Sequence, residues 1–411
     1  MAQKVPAAEA MPGPHHRPPV NPIVSLVKDS NGFEKILYSL LIFVPLAFVA
    51  ELTHFPSVLV FFASCLAIVP LAKIMGTATE ELATKAGQGI GGLLNATFGN
   101  AVELIIATLA LIRAQENPKL LEVVKASITG SIMGNLLFVL GLAIFFGGWK
   151  RDRQTFNATA IRATNTLMSL TAIALIIPAG FAYTLTTPVN DAQRLDQRNL
   201  LENLSLAVAA ILILSYIAQL IFSLRTHAHL YAGDPTLHAE EEEGHGWSVK
   251  ASLGVLLVAT VLVGFMAEFL VGSVESLTNQ FGWTELFIGV ILIAIIGNAA
   301  EHLTAVLVAI KNKMDLSLGI AIGSSTQVAA FVAPLLVFIG FFLGGTSQLN
   351  LVFSLFELIA IVVSIFMVNL IVNDGETNWV EGLQLLAAYL IIAIAFFLHP
   401  PLASDLPIPG H

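Results

Sequence analysis

Two glutamates carry the chemistry this chain is best equipped to do. Each closes the same short phrase inside an apolar stretch: Gly99-Asn100-Ala101-Val102-Glu103 and Gly297-Asn298-Ala299-Ala300-Glu301. A carboxylate at the centre of a bilayer costs about 2.5–3.5 kcal/mol on insertion scales. Meeting that cost twice, at matched positions of two halves, points to an ion site between internal repeats. Carboxylates are hard ligands, and a divalent cation such as Ca2+ gathers roughly 6–8 oxygens from carboxylates, amides, carbonyls and water. Two carboxylates balance its charge, and the same oxygens hold protons when the cation is absent. Protons and cation then compete for one site, which is the minimum machinery for exchanging one against the other. The rival reading, two protonated glutamates bracing helices, leaves the matched Gly-Asn before each unexplained.

Other polar residues fall near this pair. Asn100 and Asn298 each precede their Glu by three positions, so they share its helix face. Their amides are either ligands or interhelical hydrogen-bonding groups. The phrases Gly130-Ser131-Ile132-Met133-Gly134-Asn135 and Gly323-Ser324-Ser325-Thr326-Gln327 follow in the next apolar stretch of each half. Gly-Ser pairs let a helix unwind and expose carbonyls, and Ser131, Ser325 and Gln327 can complete an oxygen shell; small residues also serve close packing. His302 stands where the first half has Leu104. It is a proton relay or a core histidine. Glu81 and Glu268, with Glu80, occupy equivalent helices of the two halves and are candidate ion-access or proton-transfer positions. Glu357 is also intramembrane, and no role is assigned to it.

Composition defines the elements that must position these groups. Of 411 residues, 56% are hydrophobic and 11% charged, against about 25% charged in a soluble domain. The chain therefore reads as an all-α polytopic membrane protein. Apolar runs predict eleven transmembrane helices: 36–53, 56–75, 87–112, 120–148, 162–187, 200–224, 250–273, 284–310, 315–345, 350–372 and 379–399. The first is an extra N-terminal helix within 33–55. The others form two five-helix repeats, 56–224 and 250–399, joined by a cytosolic acidic loop at 225–249. An odd number of helices per half makes the repeats inverted, with the ion site near the midplane. Residues 1–32, with six prolines by Pro22, read as a disordered cytosolic tail, and 400–411 as a C-terminal tail. Basic residues in the first tail and in the loops at Lys150-Arg151-Asp152-Arg153 and Lys311-Asn312-Lys313 place the N-terminus in the cytosol and the C-terminus in a lumen or outside. Arg113 and Lys119 run against that assignment.

The net charge of −9 argues against nucleic-acid partners, and a lone Cys65 excludes cysteine metal clusters. No phosphate-binding loop suggests ATP drive, and no His-Glu-x-x-His suggests a metalloenzyme. Much of the negative charge lies in Glu240-Glu241-Glu242-Glu243, either a regulatory segment or a solvated loop. No organic cofactor is expected, and the oligomeric state is open. Na+ or K+ coupling, or a passive cation channel, remain alternatives to proton coupling.

The longer phrases resemble a known family. Ala78-Thr79-Glu80-Glu81-Leu82-Ala83 and Gly91-Gly92-Leu93-Leu94-Asn95-Ala96-Thr97-Phe98-Gly99-Asn100-Ala101-Val102-Glu103 are similar to the first signature of the Ca2+/H+ exchangers. Gly297-Asn298-Ala299-Ala300-Glu301-His302 and Gly323-Ser324-Ser325-Thr326-Gln327 resemble the second, and Asp374-Gly375-Glu376-Thr377-Asn378-Trp379-Val380-Glu381-Gly382 a further segment. The resemblance covers about 36–399 and is nearest to fungal vacuolar exchangers. It implies an antiporter of the vacuolar membrane, not an enzyme. Such a protein moves cytosolic Ca2+, with low affinity and with Mn2+ as a second ion, into an acidic lumen. The resemblance makes Glu103 and Glu301 the central ligands. Asn100, Asn298, His302, Ser131, Ser325 and Gln327 become lining residues. The family's acidic helix matches the four-Glu run in position, although the run here is shorter and flanked by Gly244 and Gly246.

Overall fold

The computed structural model describes residues 20–28, 30, 32–186, 188–227 and 246–400. The acidic run at Glu240–Glu243 and most of both tails lie outside these residues. The described chain is nearly all helical. After a short α1 (Pro22–Lys28) come α2 (Gly32–Leu52), α3 (Ser57–Phe98), α4 (Ala101–Arg113), α5 (Leu120–Gly148), α6 (Ala158–Thr184) and α7 (Asp191–Thr226). The second half holds α8 (Val249–Phe281), α9 (Glu285–Gly297), α10 (Ala299–Ile310), α11 (Met314–Leu343), α12 (Leu355–Ile371) and α13 (Trp379–Leu398). Eight of the described helices are long and apolar enough to cross a membrane, nine if the pair α9 and α10 counts as one span.

Three expectations change. The predicted helix 87–112 is not continuous: α3 runs on past a kink at Gly87 (φ 79°), and a break at Gly99–Asn100 starts α4. A positive φ is open to Gly at no steric cost, which is why the chain can turn there. The predicted helix 284–310 is two helices, bent by 60°. The predicted helix 350–372 begins at Leu355, where Ser354 and Glu357 form a capping box. The structure also adds a two-residue antiparallel ladder, β1 (Gln154–Thr155) against β2 (Glu376–Thr377), that ties the loop after α5 to the loop before α13. Alternation over two residues carries no readable sequence signal.

Burial grades the helices. In α5, 83% of the apolar window lies inside the protein, against 17% in α2 and 22% in α7 and α13. The central helix is thus the one carrying Ser131 and Asn135. It meets α9 at very short range: a Cβ on Gly130 would lie 2.0 Å from the Val290 carbonyl oxygen, and one on Gly289 would lie 2.5 Å from Ala126 Cβ. Small residues at both faces let these backbones approach, as is common between membrane helices. Three π-helical turns, at Gly134–Val139, Ile288–Ile293 and Val328–Val332, widen the helices around this centre. Such turns are frequent at functional sites.

Candidate ion site

Each half builds its glutamate in the same way. Asn100 and Asn298 leave helical geometry (φ −106°, ψ 24° and φ −94°, ψ 4°) and begin α4 and α10. Glu103 and Glu301 therefore sit in the first turn of a new helix, where the backbone dipole favours negative charge. The two motifs then cross. A Cβ at Gly297 would lie 3.4 Å from Glu103 Cγ, and one at Gly99 would lie 3.6 Å from Glu301 Oε1. Each glutamate thus lies over the glycine of the other motif, and the Gly of the repeated phrase is the floor on which the opposite carboxylate rests. Glu103 Oε2 and Glu301 Oε2 are buried, and neither has a hydrogen-bond partner among the described residues. Buried polar atoms are ordinarily satisfied, so these two oxygens have the capacity to take a cation or protons.

The asparagines are tied in reciprocally too. Asn100 Nδ2 donates to Gln327 Oε1 (2.6 Å), and Ser324 Oγ donates to Asn100 Oδ1 (3.2 Å). Asn298 Nδ2 donates to Ser131 Oγ (3.0 Å) and to the Ala294 carbonyl (3.0 Å). Asn135 links the two sides. Its Nδ2 donates to Ser324 Oγ (3.1 Å) and Asn298 Oδ1 (3.4 Å), and its Oδ1 faces His302 Nε2 at 3.1 Å. An amide oxygen only accepts, so His302 carries its hydrogen on Nε2. Among the described residues no cluster of three or more His, Cys, Asp or Glu is placed to hold a metal. The oxygen set is instead two carboxylates with amides and hydroxyls, the hard kind suited to Ca2+.

A cavity of about 150 Å3 reaches Glu301, lined also by Lys73, Gly76 and Glu80 of α3 and by Asn95, Gly99, Gly297 and Thr304. Of the predicted residues, Glu103, Glu301, Asn100, Asn298, Ser131, Gln327 and His302 come together. Ser325 does not: its hydroxyl bonds the carbonyls of Ala321 (2.9 Å) and Ile132 (3.3 Å), and Ser324 takes the place in the network. Glu81 faces the other way, accepting from the Trp247 backbone N–H (3.1 Å) and pairing with Lys85 (3.4 Å). Glu268 pairs with Arg113. Sequence reasoning missed Asn135 as the hub. The available signal was its spacing, four residues after Ser131 and so on the same face. It also missed Lys125, buried in α5, whose Nζ donates to Asn350 Oδ1 and the Val352 carbonyl, both at 2.7 Å. Nearby, Glu357 accepts from Thr129 Oγ1 (3.2 Å) and from Ser354, which fastens α12 to α5.

A helical membrane protein with two crossed Gly-Asn-x-x-Glu motifs has the build of a cation exchanger, and the sequence places it in that class. The sodium/calcium exchanger protein family matches residues 56–225 and 251–398. The chain belongs to this family, and within it to the Ca2+/H+ exchanger branch. It is 47% identical over 384 residues to the Ca(2+)/H(+) antiporter of Synechocystis sp., covering 90% of this chain and 98% of that protein. It is 39% identical to the vacuolar calcium ion transporter of Schizosaccharomyces pombe, over 88% of this chain and 84% of the relative. The crystal structure of the Ca2+/H+ antiporter protein YfkE superposes with a TM-score of 0.73 at 43% identity, covering 89% of this chain and all of that one.

Proposed function

We propose that this protein is a Ca2+/H+ antiporter that binds Ca2+ and protons alternately at Glu103 and Glu301. The observation that carries the reading is the crossed pair of buried carboxylates, each with one oxygen lacking a partner among the described residues. Two carboxylates accept one Ca2+ or two protons, so the loaded site is near neutral in either form. Water leaves with difficulty from a dicationic ion, and the surrounding amides and hydroxyls of Asn100, Asn298, Ser131 and Gln327 stand in for its hydration shell. His302 touches the network through Asn135 and is the nearest group to take a third proton, ahead of Glu81 and Glu268, which lie elsewhere.

In this proposal eleven helices span the membrane, one outside two inverted five-helix repeats. The broken helices α3–α4 and α9–α10 occupy matching places in the halves. The cavity beside Glu80 is the cytosolic approach, as it lies along the stretch of α3 where Glu81 accepts from the Trp247 backbone N–H. The N-terminus then faces the cytosol and the C-terminus the lumen or exterior. The vacuolar membrane is supported by the relative from Schizosaccharomyces pombe. The 47% identity to a cyanobacterial antiporter favours a second reading, Ca2+ export across a bacterial membrane by the same exchange. Low affinity and Mn2+ transport belong to the same proposal, and selection between the ions would rest on the oxygen count and rigidity of the site.

The test is radioactive Ca2+ uptake into sealed vesicles containing the purified protein, with an acid interior. Uptake that collapses on adding a protonophore supports antiport. Uptake that persists without the gradient and follows added Na+ or K+ transfers the protein to the other coupling.

A further inference from the structure

Toward one end of the molecule lies the cavity beside Glu301, and toward the other an ion pair between α4 and α8. The helices α3 and α8 lie along each other, and the hydrogen bond from the Trp247 backbone N–H to Glu81 sets the start of α8 level with the late part of α3. At that end a cavity lies between α3 and α10, lined by Lys73 and Glu80 on one side and Glu301 on the other. Glu268 is 21 residues beyond Trp247, about 30 Å along the helix at ~1.5 Å per residue. There α8 closes against the last turn of α4: Arg113 Nε donates to Glu268 Oε1 at 2.9 Å, and a second guanidinium nitrogen of Arg113 reaches the same oxygen. One turn further along, Gly272 leaves room for the guanidinium, since a Cβ there would lie 3.1 Å from an Arg113 Nη. Arg113 lies ten residues after Glu103 on α4, roughly 15 Å from the site and on the side away from the cavity.

An exchanger must never open its site to both sides at once, and cargo taken from the cavity has to leave at the opposite end. We propose that the Arg113–Glu268 pair is the clasp that closes that opposite end, and that it parts whenever the site turns to face it. The inference rests on the antiport reading and adds the device that separates the two sides. Among the described residues this is the ion pair that ties α8 to a helix carrying a site glutamate. Its partners are 39% and 37% exposed, and where water reaches such a pair it contributes little net stability. A weak, specific contact suits a closure that has to be made and broken in every cycle. A deeply buried pair would be costly to part. Glu268 on this account carries no transported proton.

The test uses full-length protein with Cys65→Ala, Arg113→Cys and Glu268→Cys in sealed vesicles. A short bifunctional methanethiosulfonate bridges the two thiols, and dithiothreitol releases them. Bridging is expected to lower exchange about tenfold, as expected when a gating motion is blocked, and reduction to restore it. The single-cysteine variants should not respond to the reagent. Full exchange by the bridged protein overturns the clasp, because a contact that never opens tolerates a covalent link. Where the double-cysteine protein does not fold, charge reversal replaces it. Arg113→Glu and Glu268→Arg should each slow exchange, the two together should recover at least half of the wild-type rate, and Ca2+ binding in detergent should stay unchanged. Failure of the double reversal to recover also overturns the proposal. The Cys65→Ala background reports the coupling ion by itself, so a protein driven by Na+ or K+ contradicts the proton-coupled reading while the clasp is still read on that exchange.

Discussion

Glu103→Gln and Glu301→Gln keep the shape of each side chain and remove its charge. Each is expected to lower exchange roughly 100-fold or more, since ligand charge sets affinity for a hard dication. Size-exclusion profiles and membrane insertion should match wild type; robust exchange by either variant contradicts the site. A second prediction follows from the crossed glycines. Gly297→Ala puts a carbon 3.4 Å from Glu103 Cγ, at ordinary contact distance. Larger residues then force the carboxylate aside, so Gly297→Val should lose Ca2+ binding while Gly297→Ala retains a good part of it. Equilibrium radioactive Ca2+ binding checks both. The glutamates, the asparagines and His302 were legible from type and spacing alone. Ser324 was passed over for Ser325, although Gly323-Ser324 repeats Gly130-Ser131 and adjacent helical residues differ by about 100° in direction. Asn135 was hidden for another reason: it has no counterpart in the second half, so the repeat that exposed the other residues passed over it.

Elements fail or succeed through their ends and crossings. Gly130→Val is expected to stop α5 from meeting α9, since the Cβ would lie 2.0 Å from the Val290 carbonyl oxygen. The yield of folded protein in detergent should fall to near background, and wild-type yield would contradict the close crossing. A milder change is Ser354→Ala, which removes the cap of α12 and one hydrogen-bond donor to Glu357. Loss of such a cap costs about 1 kcal/mol, so thermal stability should drop by a few degrees while exchange survives. Apolar run length located the helices well, because hydrophobicity is what holds them in lipid. It could not reveal the breaks at Asn100 and Asn298. Those depend on what the freed backbone groups meet across the interface, and neither apolar length nor local propensity encodes a partner two hundred residues away.

At the scale of the whole molecule, each half completes the other. Asn100 of the first half bonds Gln327 and Ser324 of the second, while Asn298 of the second bonds Ser131 and Asn135 of the first. Neither half holds the site alone, so the unit of function is the full chain. That mutual dependence was readable as a repeated phrase, yet the cavity on one side and the closed Arg113–Glu268 contact on the other were not. They depend on how the helices pack in three dimensions, which neither a motif nor apolar run length encodes. The central claim is that one pair of carboxylates serves both Ca2+ and protons. Calorimetry of Ca2+ binding to purified protein, repeated in buffers of different ionisation enthalpy, tests it most directly. The account predicts that Ca2+ binding releases protons at acidic pH, that affinity falls as pH falls, and that Glu103→Gln and Glu301→Gln abolish both effects. Ca2+ binding that is independent of pH, releases no proton and survives in both variants would contradict it.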